Sequence, residues 1–471
     1  MSLYTDAVGL LVVELDHLEW IVGGHLLKRL SRDYAWFSPV LARELDGKIA
    51  DAAVCPQTED EIRSVVAACA RRDIPLTVRG SGTGNYGQST PLHGGIVLDL
   101  SLYKQFLWQK NGVVRAQAGI RLGDLETTVR QDGWEMRWLP STYRIATLGG
   151  LFSGGFGGVG SINHGPVAST GNVLGIKIMT IEAEPKIIEL RAPEALTLNH
   201  FYGTNGIVLE LEVALAPAHA WLENVVVFDS FDRALDFADT LANSPGVTKR
   251  AVTFLANPVP AYLKTLQAHL TPDCHAVLTI VAEQSEPALL QLIGESGGRR
   301  CYRADQAEVL ATNRTLIECM WNHTTLHALK IDKTLTYIQS SFQPGEHLRQ
   351  VRELELLLAG EVLTHLEFIR LRNGRMTCNG LQLIRYTTEA RLNELMQIFR
   401  DHGVSIANPH VFIVEDGKQG KVDPAAVAAK QKFDPKGLLN PGKMRGWDAF
   451  SASGESIEAT ESILPVTPAT P

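Results

Sequence analysis

A chain of 471 residues with 44 Lys and Arg against 52 Asp and Glu, net charge −8, lacks the basic balance of a nucleic-acid binder. Its 45% hydrophobic and 20% charged content is that of a globular protein, long enough for two or three domains. The six cysteines (Cys55, Cys69, Cys274, Cys301, Cys319, Cys378) form no C-x-x-C pair, which excludes a local zinc ribbon or iron–sulfur run and points to free thiols in a cytoplasmic protein.

In chain order, Val8 to Leu30 reads as an amphipathic helix. Its apolar start, Val8–Val13, is followed at once by Glu14 and Asp16 and preceded by no basic region, so it is not a signal peptide. Peripheral attachment to a membrane surface is the one membrane role this helix leaves open; no apolar run is long enough to span. Thr58-x-x-Glu61 is a capping box, and Ile62, Val65, Val66 and Cys69 give one buried face to a helix over 58–72. Strands follow at 74–78, 96–100 and 112–117, a helix begins near Leu122 and stops near Gly133, and further strands lie at 174–179 and 206–213.

A second unit begins near Trp221. It alternates strand 225–228, helix 230–241, strand 252–255, helix 260–269 and strand 276–281. Leu363–Arg372 and Arg375–Tyr386 flank Asn373-Gly374, a strong hairpin signal. A helix from Glu389 to about Asp401 precedes the stretch Phe433–Met444, and the Ser-, Thr-, Glu- and Pro-rich tail beyond Phe450 is expected to be disordered.

Two glycine clusters each follow a strand: Arg79-Gly80-Ser81-Gly82-Thr83-Gly84-Asn85-Tyr86-Gly87, and eight glycines between Gly149 and Gly165, among them Gly150, Gly154, Gly155 and Gly157. Glycine lets successive backbone N–H groups turn toward an anion, so two such nests suggest a phosphate-bearing dinucleotide. Gly82, Gly84 and Gly87 match G-x-G-x-x-G, but Pro91 and Gly94-Gly95 follow where a nicotinamide-binding fold needs a helix.

The order of these pieces resembles the flavoprotein superfamily of vanillyl-alcohol oxidase and p-cresol methylhydroxylase, in its glycolate oxidase D-subunit and D-lactate dehydrogenase branch. Val54–Ile62 resembles the entry helix of the flavin domain, Arg79–Gly84 its pyrophosphate loop, and Pro140-Ser141 with Ala146-Thr147-Leu148-Gly149-Gly150 its second flavin loop. Gly203–Val208, with Ile207 and Val208, resembles the segment that contacts the cofactor through backbone, and Asp434–Lys443 resembles the C-terminal signature returning to the flavin domain. The resemblance implies FAD, and an α+β fold of two lobes: an FAD-binding (PCMH-type) domain and an α+β substrate, or cap, domain with an antiparallel sheet. The expected divisions are an N-terminal helical segment at 1–45, the FAD domain at 46–220, the cap at 221–432, the return segment at 433–448 and the tail at 449–471. Some relatives tether FAD through a histidine in the first loop; Thr83 stands there and no histidine follows until His93, so FAD is expected to be non-covalent.

Two departures bear on chemistry. Leu151 replaces an asparagine usual after Gly149-Gly150, and the metal-binding run H-x-G-D-G-N-x-H of the branch is missing, with Thr364–Arg370 in its place. His365 and Glu367 share a strand face. Either they meet His410 as a two-histidine, one-carboxylate metal site, or they orient substrate, or they hydrogen-bond within the sheet. His410, the histidine kept in Ala407-Asn408-Pro409-His410, is the expected base, since oxidation of an alcohol needs a proton acceptor as well as hydride transfer to flavin N5. Arg370, Arg372 and Arg385 are candidate carboxylate ligands, with Asn379 and Asn408 as polar lining. Trp321-Asn322-His323 is a candidate pocket wall. The expected function is oxidation of a small hydroxylated substrate, foremost a 2-hydroxy acid. The alternatives are a same-fold oxidase of a sugar, lactone or aromatic alcohol, and a non-catalytic flavin subunit of a complex. The electron acceptor (oxygen, a quinone or a carrier protein) and the oligomeric state are not legible.

Overall fold

The structure, a computed structural model, describes residues 3–418 and 420–453. The capping box forms as expected. Thr58 Oγ1 accepts from Glu61 N, and Glu61 closes the box on the helix Glu59–Arg71, whose apolar face is buried. That helix leads into strand Leu76–Arg79, part of a four-stranded sheet in the order Trp20–Ile21, Ala52–Val54, Ile96–Asp99, Leu76–Arg79. Two of its three pairings are parallel, joining 52–54 to 96–98 and 96–99 to 76–79, and its central strands are buried throughout because both faces are covered.

A second, antiparallel sheet runs Phe106–Lys110, Val113–Gln117, Ile207–Pro217, Val173–Met179, Ile187–Arg191, with Trp134–Met136 pairing the far end of the long strand. The chain then enters an eight-stranded antiparallel sheet ordered Arg299–Ala304, Trp221–Phe228, His275–Ala282, Lys249–Leu255, His365–Arg370, Met376–Gly380, Gln339–Ser341, Ser405–Ala407. Its side chains alternate between two cores. Val225, Val227, Leu255 and Leu278 pack with the first lobe, whereas Val226, Phe228, Phe254 and Val277 pack under helices such as Phe231–Asn243 and Glu389–Asp401. This is the mixed fold of two lobes that the sequence implied.

Four expectations change. The N-terminal helix is two, Thr5–Glu14 and Gly24–Leu30, separated by strand Trp20–Ile21 and by Gly23 and Gly24 at positive φ. Residues 260–269 form two 3-10 turns, Val259–Tyr262 and Lys264–Leu266, because Leu263 leaves helical dihedrals (φ −85°, ψ 77°). Strand pairing after the Asn373-Gly374 hairpin stops at Gly380, and Leu383–Arg385 joins a separate three-stranded sheet. The expected tail begins later than 449, since helix Arg445–Ser453 covers its start; the rest lies outside the described residues. Among the described residues no helix is long and apolar enough to cross a membrane.

The C-terminal segment returns to the first lobe and fixes it. Leu439 bridges Leu76, Leu76 N donates to Leu438 O, and Asn440 N donates to Leu76 O, extending the four-stranded sheet. Lys443 is fully buried, and its ammonium donates to the carbonyls of Gly87 (2.6 Å), Gln88 (2.9 Å) and Thr90 (2.7 Å). Burial pulls its pKa down to about 7. Asn440 Nδ2 joins Gln88 O to Tyr202 O, and the buried Lys430–Asp434 pair ties Thr204 O and Leu439 O into the same knot. Lys443→Met removes three buried hydrogen bonds and leaves Thr90 O without a donor. It is expected to lower stability by about 3 kcal/mol, read as a fall in the urea midpoint; an unchanged midpoint would refute this role.

Candidate active site

Both glycine clusters open onto one cavity of about 740 Å³, between the lobes, within the usual range of about 300–1,000 Å³ for cofactor sites. The first loop is held from behind. Arg79 is buried, and its guanidinium donates to Leu30 O (3.2 Å), Arg32 O (2.6 Å) and Ser81 O (3.2 Å), so it braces the loop from below. Gly82 has φ +63°, and a Cβ there would strike that guanidinium; a Cβ at Gly80 would strike the Thr147 hydroxyl. Thr147 in turn caps the second loop by accepting from Gly150 N (3.2 Å). Gln88 Nε2 donates to Gly154 O (2.9 Å) and joins the loops, while its Oε1 is buried at the cavity without a partner.

A third wall is Asn199–Gly203. His200 and Tyr202 both take left-handed dihedrals, φ +59° and +54°, unusual for side chains of this size. They are suspended from the second loop through His200 N to Phe152 O and Tyr202 N to Ser153 O. Tyr202 stacks on Tyr86, whose hydroxyl donates to Gln339 Oε1 (2.7 Å). Burial, with Lys418 nearby, pulls His200 down to about 4. The cap supplies Trp321, Asn322 and the ends of three adjacent strands, with Gln339, Ser340, Ser341, Asn379, Ser405 and Asn408 at the surface of the cavity.

Charge in the cavity has one sign. Arg79, Arg372, Lys418 and Lys421 line it, and among the described lining residues there is no Asp or Glu. Lys418 Nζ rests 3.9 Å from the centre of the Phe201 ring. Glycines where a Cβ has no room and cationic walls fit the diphosphate of a cofactor such as FAD, and the orphaned acceptor Gln88 Oε1 suits one of its N–H or hydroxyl donors.

Most of the cofactor residues expected from sequence meet here: Arg79, Gly80, Ser81, Gly82, Thr83, Gly84, Asn85, Pro140, Thr147, Gly149, Gly150, Gly154, Gly155, Gly157 and Val208 line the cavity, as do Asn379 and Asn408. Ser141 and Ile207 lie behind the wall, buried beside lining neighbours.

The expected catalytic trio does not assemble. His410 is 3% exposed, and both ring nitrogens are engaged, Nδ1 with Ser38 Oγ (2.7 Å) and Nε2 with Tyr337 O (2.8 Å). It joins the N-terminal segment to the cap and is outside the cavity lining, so it is not placed as a base. His365 Nε2 meets Glu367 Oε1 at 2.8 Å inside the sheet, and no group of three metal-ligating side chains exists among the described residues. Arg370 donates to Gly374 O across the hairpin and Arg385 to Gly360 O; neither reaches the cavity. Arg372 does, because it sits inside the Leu371–Gly374 turn, where strand alternation no longer holds. His200, Tyr202, Lys418 and Gln339 carried no motif in the sequence.

Two outcomes follow. Gly80→Ala is expected to yield folded protein whose affinity for added FAD is at least about tenfold weaker, read by fluorescence titration, because the loop must move off Thr147. Burial lowers His410 to about 4, so the folded protein keeps it neutral. Above about pH 6.5 it is neutral in both states, and below that the unfolded chain alone takes the proton. Stability is therefore lost as pH falls from about 6.5 to 4. His410→Gln should flatten that decline by up to about 3 kcal/mol in denaturant titrations at several pH values; an unchanged slope would refute it.

Residues 50–190 match the family described as FAD binding domain. Over 427 residues the chain is 24% identical to the glycolate oxidase subunit GlcD of Bacillus subtilis (strain 168), covering 85% of this chain and 90% of that one. The GlcD subunit of Escherichia coli (strain K12) is 28% identical over 201 residues, 40% of each chain. A structure of alkyldihydroxyacetonephosphate synthase superposes with a TM-score of 0.69 over 92% of this chain and 85% of that one, at 13% identity, a likeness of fold. The chain carries an FAD-binding domain over residues 50–190 and is an FAD-dependent oxidoreductase similar to the glycolate oxidase subunits.

Proposed function

We propose that the protein oxidises a small hydroxylated compound, foremost a 2-hydroxy acid, with non-covalently bound FAD. The observation that carries this reading is the one-signed charge of the cavity, in a chain whose net charge is −8. Cofactor phosphates alone need few side-chain cations where backbone N–H groups already face them. Arg372 and Lys418 are then free to hold a substrate carboxylate, Arg372 through two parallel hydrogen bonds. Relatives named glycolate oxidase subunits support the same class, since glycolate is a 2-hydroxy acid.

Bound FAD would supply a two-electron acceptor for the hydride that leaves the substrate carbon. The first loop, the second loop and Asn199–Val208 would hold it. Thr83 offers no nucleophile suited to a tether, and His93 packs against Gly442, outside the cavity lining. Asn379, whose Oδ1 accepts from Ser341 Oγ (2.9 Å), and Asn408 would orient the substrate.

A second reading rests on the cap wall. Gln339, Ser340, Ser341, Asn379, Ser405 and Asn408 are all neutral amides and hydroxyls, a lining suited to a polyol or sugar. An anaerobic panel of 2-hydroxy acids and sugars, followed by flavin absorbance, separates the two. Bleaching by a 2-hydroxy acid is expected, and Arg372→Ala should then raise the half-saturating concentration at least about tenfold with FAD content unchanged. Bleaching by sugars alone would overturn the carboxylate reading, and loss of FAD in Arg372→Ala would assign that arginine to the cofactor.

A further inference from the structure

The buried pair His365 and Glu367 lies away from the cavity surface yet grips part of its wall. Glu367 is 2% exposed, and three groups donate to its carboxylate: His365 Nε2 (2.8 Å) and Trp321 N (2.6 Å) to Oε1, and Thr253 Oγ1 (2.6 Å) to Oε2. Trp321 has φ +51° and ψ −140°, a conformation that a bulky residue keeps only when its surroundings impose it. It immediately precedes helix Asn322–Ile331, so the bond from its N–H to Glu367 sets where Asn322 stands.

Trp321 and Asn322 both line the cavity. Asn322 Oδ1 is shielded from solvent and has no partner, and its side chain makes no hydrogen bond among the described residues. Asn322 as a whole is half-buried at the cavity, so its unpaired amide has hydrogen-bonding capacity that a ligand meets once the amide turns toward it.

We propose that Asn322 is a specificity-determining residue that hydrogen-bonds the hydroxyl group of the substrate, and that Glu367, steadied by His365, is the positioning residue that aims it. The proposal rests on the reading of the cavity as a site for a hydroxylated substrate and holds for either substrate class above. A wall amide left unpaired by a ligand without the hydroxyl penalises that ligand, which is how such a group discriminates.

The test uses the full-length FAD-loaded protein, the most effective reducing compound of the anaerobic panel, and its deoxy analogue as a competitor. Asn322→Ala is expected to raise the half-saturating substrate concentration at least about tenfold while the deoxy analogue binds as before, so that discrimination between them collapses. Glu367→Gln should lose discrimination in the same way, with FAD content and limiting reduction rate within about threefold of the parent. Thr253→Val, which removes one donor to Glu367 and little volume, covers the case in which Glu367→Gln does not fold, and should lose part of the discrimination. Parent-like discrimination in Asn322→Ala overturns the recognition role. Loss there, but none in flavin-loaded Glu367→Gln or Thr253→Val, overturns the positioning role. A parent flavin that no hydroxylated compound reduces or perturbs removes the functional reading itself, and a responsive parent with indifferent variants removes the inference alone.

Discussion

A loop that turns its N–H groups toward a ligand must turn carbonyls away from it, into protein where water does not reach them. Those carbonyls need buried donors, and here one ammonium supplies three. Lys443 donates to Gly87 O, Gln88 O and Thr90 O, and Asn440 Nδ2 donates a second bond to Gln88 O. The desolvation that lowers the pKa of Lys443 is tolerable because every proton on its nitrogen has an acceptor. The Asp33 carboxylate accepts from Ser89 N and Ala35 N and lies near enough to Lys443 to favour its charged form. The glycine loop is shaped by donors and acceptors from both ends of the chain, and the cavity follows from its shape.

The two lobes line the cavity with different chemistry. The first presents backbone and the braced Arg79, chemistry suited to phosphates whatever the substrate. The second presents side chains at the ends of paired strands, where one substitution changes a contact without disturbing the cofactor loops. Arg372 at a hairpin turn and Asn322 at a helix start both occupy places where backbone direction changes, so small geometric supports such as Glu367 have large effects on where these groups point.

The first lobe was largely legible because its signals are local. The capping box at Thr58 and Glu61, the periodic face of Glu59–Arg71 and the glycine clusters each state their conformation within a few residues. The hairpin at Asn373-Gly374 was equally plain. The chemistry of the cap was not, for three reasons. Strand alternation correctly paired His365 with Glu367 but says nothing about which layer faces a ligand. It put Arg370 and Arg372 on one face, but the Leu371–Gly374 turn resets the alternation, and of the two Arg372 lines the cavity. His410 looked like a base because a histidine in a loop is chemically versatile; its partners, Ser38 and the carbonyl of Tyr337, are distant in sequence and take up both nitrogens. Left-handed His200 and Tyr202 carried no glycine to announce them.

The bond from Lys443 to Gly87 also imposes an order on synthesis. Domains fold as they emerge, N-terminal part first, but the loop made among the first hundred residues acquires its buried donor only after the whole cap has been translated. A nascent chain can build both sheets of the first lobe and still lack a finished nest. Cofactor capture is thereby deferred until the cap has been made, and binding, once it occurs, stabilises the union of the glycine loop with the return segment.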